Sequence, residues 1–306
     1  MADTIKNRSE ILFLYDVTDA NPNGDPNDEN KPRIDEETGV NIVTDVRLKR
    51  TIRDYLYEYK NQEIFIRETL TKDGKPRTKE ERLKDFKSSK NVIEECIDLR
   101  LFGATTAVQN ERMTLTGPVQ FKYGRSLHKV DLTYVKGTTV MPSGEGKEQG
   151  TFTERYILPY SLIAFYGVVN ETAAAAQEIP LTEEDIDLLM EAIWHGTKNL
   201  ISGSKFGQIP RLLMQVIYKK KENFYLGELD KRIALKSELP DEAIRKISDV
   251  KIDVTSLIAD LAANNDKISE IRLKVDDRVN FLQDGKDVKI DAALKGAKFT
   301  VKPFDF

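Results

Sequence analysis

The chain is poor in the residues that build covalent or metal chemistry: one cysteine, two histidines and one tryptophan in 306 residues. A lone thiol, Cys96, excludes an intramolecular disulfide and fits a reducing compartment. Its charged neighbours in a helix-like stretch mark it as a structural thiol rather than a nucleophile. Together with His128 and His195 it falls short of a Cys/His zinc site. No H-E-x-x-H or nucleophile-elbow pattern is present. Neither sign of charge dominates: 47 Lys and Arg stand against 51 Asp and Glu, a formal net charge of −4. A generic polycation is thereby excluded, and any nucleic-acid site must be local. Long apolar runs are missing too. The longest, Tyr156 to Val169, is interrupted by Pro159 and Ser161 and is shorter than the roughly 20 residues needed to cross a bilayer. Met1 to Glu10 is polar, without the apolar core of a signal peptide, so no membrane association and a cytoplasmic location are expected.

What is present is enough apolar material, 40% of residues, to bury a sizeable core beneath a surface rich in charge. Residues 11–18 predict a buried strand. Residues 44–59 predict a helix with Thr44 as N-cap, its apolar stripe Leu48, Ile52, Tyr55, Leu56 and Tyr59 opposing Lys49, Arg50 and Arg53. The charged stretch 60–95, with its turn Asp73-Gly74-Lys75-Pro76, predicts an insertion. Strands follow at Gly117 to Tyr123 and Tyr156 to Val169, separated by a long glycine-spiked excursion. Thr182 and Asp185 form a capping box for a helix whose stripe runs to Leu200 and Ile201, with Gly203 placed to end it. Leu212 to Tyr218 predicts a last clear strand. The order strand, helix, strand, strand, helix, strand is that of a ferredoxin-like βαββαβ unit in the α+β class.

Three segments suggest a phosphate-binding surface. The loop Asp19-Ala20-Asn21-Pro22-Asn23-Gly24-Asp25-Pro26 follows the first strand, and its amides, with the basic helix behind them, suit a nucleic-acid backbone. The same loop satisfies the first half of an EF-hand pattern, but its twelfth position is Asn30 rather than Glu, and Pro22 and Pro26 stiffen it. Between His195 and Lys221 stand Lys198, Lys205, Arg211, Lys219, Lys220 and Lys221 with no Asp or Glu, around the small-residue loop Ser202-Gly203-Ser204-Lys205-Phe206-Gly207. A third cluster, Lys122, Arg125, His128, Lys129 and Lys136, lies at the base of the excursion. Gly144-Glu145-Gly146-Lys147 has no Ser or Thr after the lysine and reads as a hairpin tip rather than a phosphate loop. No RNP-type aromatic signature marks the central strands, so base stacking on an open sheet face is not expected.

Residues 11–59, the run Asp98-Leu99-Arg100-Leu101-Phe102-Gly103, and Gly117 to Arg211 resemble the backbone subunit of type I CRISPR interference (Cascade) complexes, the Cas-seven family of the RAMP superfamily, in the branch of subtypes I-B and I-C. The resemblance weakens in 60–95 and after about residue 222. It implies a modified RRM-like palm (residues 1–59 and 96–221), a finger-like insertion (60–95), a thumb hairpin (124–155) and a C-terminal extension of the palm (222–306). It implies a non-catalytic subunit without a cofactor that polymerises with copies of itself along CRISPR RNA, beside other Cascade subunits. Target DNA would be met only through the guide. The residues expected at the RNA are Asn21, Asn23, Lys49, Arg50, Arg53, Arg125, Lys129, Met141, Ser204, Lys205 and Arg211, with Met141 and Leu132 as candidate wedges between nucleotides. Two alternatives stand beside this reading. One is a metal-dependent RAMP endoribonuclease using Asp25 or Asp28; the other is an RRM-like RNA-binding monomer outside any CRISPR complex.

Overall fold

The computed structural model describes residues 4–108, 111–138 and 152–306. Its centre is strand β1 (Ser9–Ala20), a run of β-favouring apolar residues with both faces covered. Ile11, Phe13, Tyr15 and Val17 enter one core, while Leu12 and Leu14 enter the other. Two long strands flank β1 in antiparallel register: β2 (Phe152–Val169), with Phe13 opposite Phe165, and β3 (Ile209–Tyr218), with Phe13 opposite Leu213. Beyond β2 come Val119–Phe121 and Gly124–Lys129, and the latter pairs with Val40–Val43, a strand not foreseen in the sequence. Beyond β3 come β4 (Ile268–Val275) and then, in parallel, Val301–Pro303. The chain is α+β.

Both expected helices cover the same face of this sheet. Helix α1 (Asp45–Lys60) starts at Thr44, whose side chain accepts from the amide of Arg47, and buries Leu48, Ile52, Tyr55 and Leu56 against β1. Tyr59 stays exposed. Helix α2 (Glu183–Glu191) has the Thr182–Asp185 capping box and buries Ile186, Leu189 and Met190. It continues through a π-helical turn, Ala192–Gly196, where Gly196 meets Tyr55 and Thr51 of α1 so closely that a Cβ would stand 3.0 Å from that of Tyr55. The expected end at Gly203 is not realised. Helical structure stops by residue 198, and Ile201, placed on the apolar stripe by periodicity, is 79% exposed. The other face of the sheet is covered by the C-terminal segment through Leu257, Ile258, Leu261 and Phe281.

Residues 60–95 have a small core of their own, in which Phe65 and Val92 pack with Cys96 and Leu99. Burial and the nearby carboxylates of Asp98 and Glu63 push the Cys96 thiol up to about 12, which suits the structural role expected of it. The fully buried Asp98 ties this unit to α1. Its carboxylate accepts from the amides of Phe65 (2.8 Å) and Ile66 (3.1 Å) and from Nε of Arg53 (2.9 Å). The excursion that precedes β2 begins later than residue 124, because Gly124–Lys129 belongs to the main sheet. From Thr133 to Thr138 the chain pairs with Phe152–Ile157, so the outer end of β2 forms a two-stranded ribbon.

Asp98→Ala leaves a largely buried guanidinium and two amides without their acceptor. It is expected to destabilise the protein by about 3–5 kcal/mol, the usual range for breaking a buried pair from one side, read as a lowered denaturant midpoint at unchanged m-value.

Candidate nucleic-acid interface

The expected site residues divide sharply once placed in the fold. Lys49 is only 9% exposed and is held by Asp45 (3.0 Å) and Gln120 (3.1 Å). Arg50 is exposed but paired with Asp54 at 2.7 Å. Arg53 is taken by Asp98. The basic face predicted for α1 is therefore largely neutralised within the protein, because each of the three cations has a carboxylate within reach. Arg211 departs further from expectation. At 5% exposure it sits inside, bridging Asp16 and Asp276 at 2.9 Å each. Burial pushes the Asp16 carboxyl above its usual range, against the pull of Arg211 and the hydroxyl of Tyr160.

The basic window 195–221 also comes apart. Lys198 and Lys205 precede β3 while Lys219, Lys220 and Lys221 follow it, so the ten-residue strand separates the two groups by about 30 Å. At the base of the excursion, Lys122 pairs with Glu228 and Arg125 with Asp35. The amide of Lys129 donates to Asp241, and its side chain is exposed. His128 is buried against Tyr160, its Nε2 accepting from the amide of Leu162 and its Nδ1 lying 2.7 Å from the carbonyl of Lys129. Burial holds its pKa below the usual histidine range, and it is a structural residue. Met141 lies outside the described residues.

What the fold does bring together is a junction of four segments: the loop after β1, the first turn of α1, the loop 202–207 and β2. The amide of Asn21 donates to the carbonyl of Ser204 (2.8 Å), and Asn21 Nδ2 donates to the carbonyl of Asn30 (2.7 Å). Asn23 Oδ1 accepts from both the amide (2.8 Å) and the hydroxyl (2.9 Å) of Thr44. Arg155 of β2 donates to the carbonyl of Gly203 at 2.8 Å. Between these supports stand two cations, Lys205 and Arg47. Lys205 donates to the hydroxyl of Ser204, and Arg47 to that of Thr51. Among the described residues neither forms an ion pair. Burial, and then the positive charge of Arg47, hold the Lys205 ammonium below the usual lysine range; burial works against the charge of Arg47 as well. Asp54 acts on Arg47 only at a distance, beyond ion-pair contact, so two half-buried like charges without a paired carboxylate make a surface suited to an anion.

Arg47 is absent from the residues expected on sequence grounds. A partial signal is available. Lys49 and Arg50 each have an aspartate four residues away, Asp45 and Asp54, whereas no acidic residue lies three or four positions from Arg47. Asp25 and Asp28, the candidate nuclease residues, are bonded to Arg33 (2.6 Å) and Lys31 (2.7 Å). Among the described residues no three His, Cys, Asp or Glu side chains are grouped to hold a metal ion.

A lysine whose folded pKa is lowered binds fewer protons in the native than in the unfolded state. Its contribution therefore makes the free protein more stable as pH rises toward the unfolded value of about 10.4. Lys205→Met removes this cost. The variant is expected to melt at the same or a higher temperature than wild type at pH 7, and the gap is expected to close as pH rises, checked by thermal denaturation across pH without nucleic acid.

The sequence profile of the family described as CRISPR-associated protein Cas7 matches residues 7–255. A Haloferax volcanii protein described as CRISPR-associated protein Cas7 is 32% identical over 310 residues, covering 90% of this chain and 89% of that protein. A chain from a solved CRISPR RNA-guided surveillance complex, pre-nicking, superposes with a TM-score of 0.57 at 12% identity, over 95% of this chain and 100% of that one. A chain from a second CRISPR RNA-guided surveillance complex superposes with a TM-score of 0.51 at 15% identity, over 95% and 99%. At these identities the two superpositions bear on the fold alone, whereas the profile and the curated relative bear on descent: the chain belongs to the CRISPR-associated Cas7 family.

Proposed function

We propose that this chain is the guide-binding backbone subunit of a type I CRISPR surveillance complex, of the I-B or I-C branch, and that it holds CRISPR RNA without cutting it. The observation that carries the reading is the junction around Arg47 and Lys205, where two half-buried cations stand side by side and neither, among the described residues, forms an ion pair. An RNA phosphate supplies the missing partner. Ser204 and the amide-rich loop beside it allow a backbone to approach closely, and Arg155 and Lys198 extend the positive surface. Lys49, Arg53 and Arg211 recede from the proposed contacts because their charges are already met. Arg50, Arg125 and Lys129 remain at the periphery, where exchange of a surface partner for a phosphate costs little.

The order β3, β1, β2 and Val119–Lys129 across the sheet, with both helices on one face, supports the RRM-like palm. Its other face is occupied by the C-terminal segment, which supports recognition through loops and helix ends rather than base stacking on strands. The ribbon formed by Thr133–Thr138 and the outer part of β2 supports a thumb, with exposed Leu132, Tyr134 and Val135 at its root. Copies of the chain would line up along one guide, joined by other Cascade subunits in the cytoplasm. Contacts to phosphate and sugar position a strand without reading it. The guide's own bases then select target DNA by pairing, as in other RNA-guided effectors.

Two outcomes are expected. Arg47→Glu or Lys205→Glu should weaken binding to unrelated RNA sequences equally and flatten the slope of log K against log salt by roughly 0.7 for each phosphate no longer neutralised, measured by fluorescence anisotropy. An unchanged slope in folded variants would remove these residues from the interface. RNA incubated with magnesium should remain intact, and Asp25→Ala or Asp28→Ala should change nothing. Cuts at regular intervals that either substitution abolishes would instead assign the chain to the metal-dependent endoribonucleases.

A further inference from the structure

Asn21 and Asn23 lie at the proposed interface, yet the Asn21 amide, Asn21 Nδ2 and Asn23 Oδ1 are bonded within the protein, while the buried Asn21 Oδ1 has no partner. Asn21 is 3% exposed, with its amide on Ser204 and its Nδ2 on Asn30. Asn23 directs both acceptor positions of Oδ1 at Thr44, whose own hydroxyl accepts from the amide of Arg47 at 3.3 Å. One end of the tripeptide thus grips the loop that carries Lys205, and the other grips the helix start that carries Arg47. The two ends are two residues apart, at most about 7 Å of chain. The residue between them is Pro22, whose ring fixes φ near −65° and restricts Asn21 as well. Left free, like charges on a loop and on a helix start would move apart. A short, stiff connection that is bonded at both ends prevents this.

We infer that Asn21-Pro22-Asn23 is a positioning strut, which sets the spacing of Arg47 and Lys205 and so governs RNA affinity without touching RNA. This rests on the RNA-binding reading given above and adds a mechanism to it: affinity depends on a connection between a loop and a helix start, not only on the cations they carry. Asn23→Ala removes the acceptor for Thr44 and keeps every cation.

The test is a double-mutant cycle on RNA affinity using Asn23→Ala, Thr44→Val and the pair, with a single-stranded RNA oligomer as probe and folding checked by circular dichroism. If Asn23 acts through Thr44, each single change should weaken binding by roughly tenfold, the weight of a missing helix cap. The pair should then be no weaker than the poorer single variant. The salt slope should stay at the wild-type value, because every phosphate keeps its cation. Additive losses would show that Asn23 acts independently of Thr44, and a slope flattened by roughly 0.7 in Asn23→Ala would show that a cation has lost its phosphate outright rather than changed its spacing; either result overturns the strut. Wild-type affinity in Asn23→Ala would overturn it too. Should Asn23→Ala fail to fold, Pro22→Gly relaxes the same connection and is expected to weaken binding at unchanged slope; wild-type affinity in that variant would also overturn the inference. The two readings fail separately. RNA binding that is normal in wild type and abolished in Lys205→Glu, but indifferent to Asn23 and Pro22, sinks only the strut. A wild-type protein that binds no RNA sinks the function on which it rests.

Discussion

Because β1 is covered on both faces from Ser9 to Val17, the polar groups it carries there must find their partners inside the protein, and those partners decide how the rest of the chain is arranged. Glu10, fully buried, accepts from the hydroxyls of Tyr166 on β2 and Tyr218 on β3 and from the amides of Leu226 (2.9 Å) and Gly227 (2.7 Å). Asp16, six residues on and on the same side of the strand, is held by Tyr160 on β2 and by Arg211 on β3, which also reaches Asp276 after β4. Each carboxylate therefore joins three strands or more. Leaving either unsatisfied would expose a buried charge in a low-dielectric interior. Strand order, register and the docking of the C-terminal segment are fixed by the same few contacts.

The surface follows the opposite rule. Along α1 acidic and basic side chains pair with one another, but at the mouth of β1 the chain leaves Arg47 and Lys205 without an ion pair and half out of water. A folded protein tolerates such a concentration of like charge only where surrounding structure imposes it. Here the imposition is visible in the bonds from Asn21 to Ser204 and from Asn23 to Thr44. Rigid core and unsatisfied rim are thus parts of one arrangement: the strand that demands internal neutralisation ends at the loop that withholds it.

Local signals in the sequence are sufficient for the framework and poor for the site. Thr44 and the spacing of Leu48, Ile52 and Leu56 announce α1 because caps and periodicity act within a few residues. The apolar runs of β1, β2 and β3 are readable for the same reason. The fate of individual charges is not. Arg53 meets its partner 45 residues away and Lys49 reaches Gln120 across 71, distances over which a sequence pattern carries no pairing information. Arg211 looks like part of a basic surface because the nearest charged residues in sequence, Lys205 and Lys219, are lysines, whereas its neighbours in space are Asp16 and Asp276. Gly203 looks like a helix terminator, but the helix passes through the π-helical turn Ala192–Gly196 and ends by residue 198. Loop residues fare better: Ser204 and Lys205 stand out for small size and charge, properties that do not depend on a distant partner.

The 18 residues of β2 carry one continuous backbone from the middle of the sheet into the outlying ribbon, about 60 Å in all. Near the point where it leaves β1, the pairing steps from Thr18 opposite Tyr160 to Ala20 opposite Leu158. Asp19, between them, adopts a left-handed φ of 50°, and Pro159 has no amide hydrogen to offer. The ladder is thus interrupted at one pair without a change of register, with paired strand on either side. The ribbon continues the same strand that is paired to the centre of the sheet. Force applied to its tip is delivered in shear to the hydrogen bonds between β1 and β2, so the ribbon's bearing and the integrity of the central strand are mechanically one property.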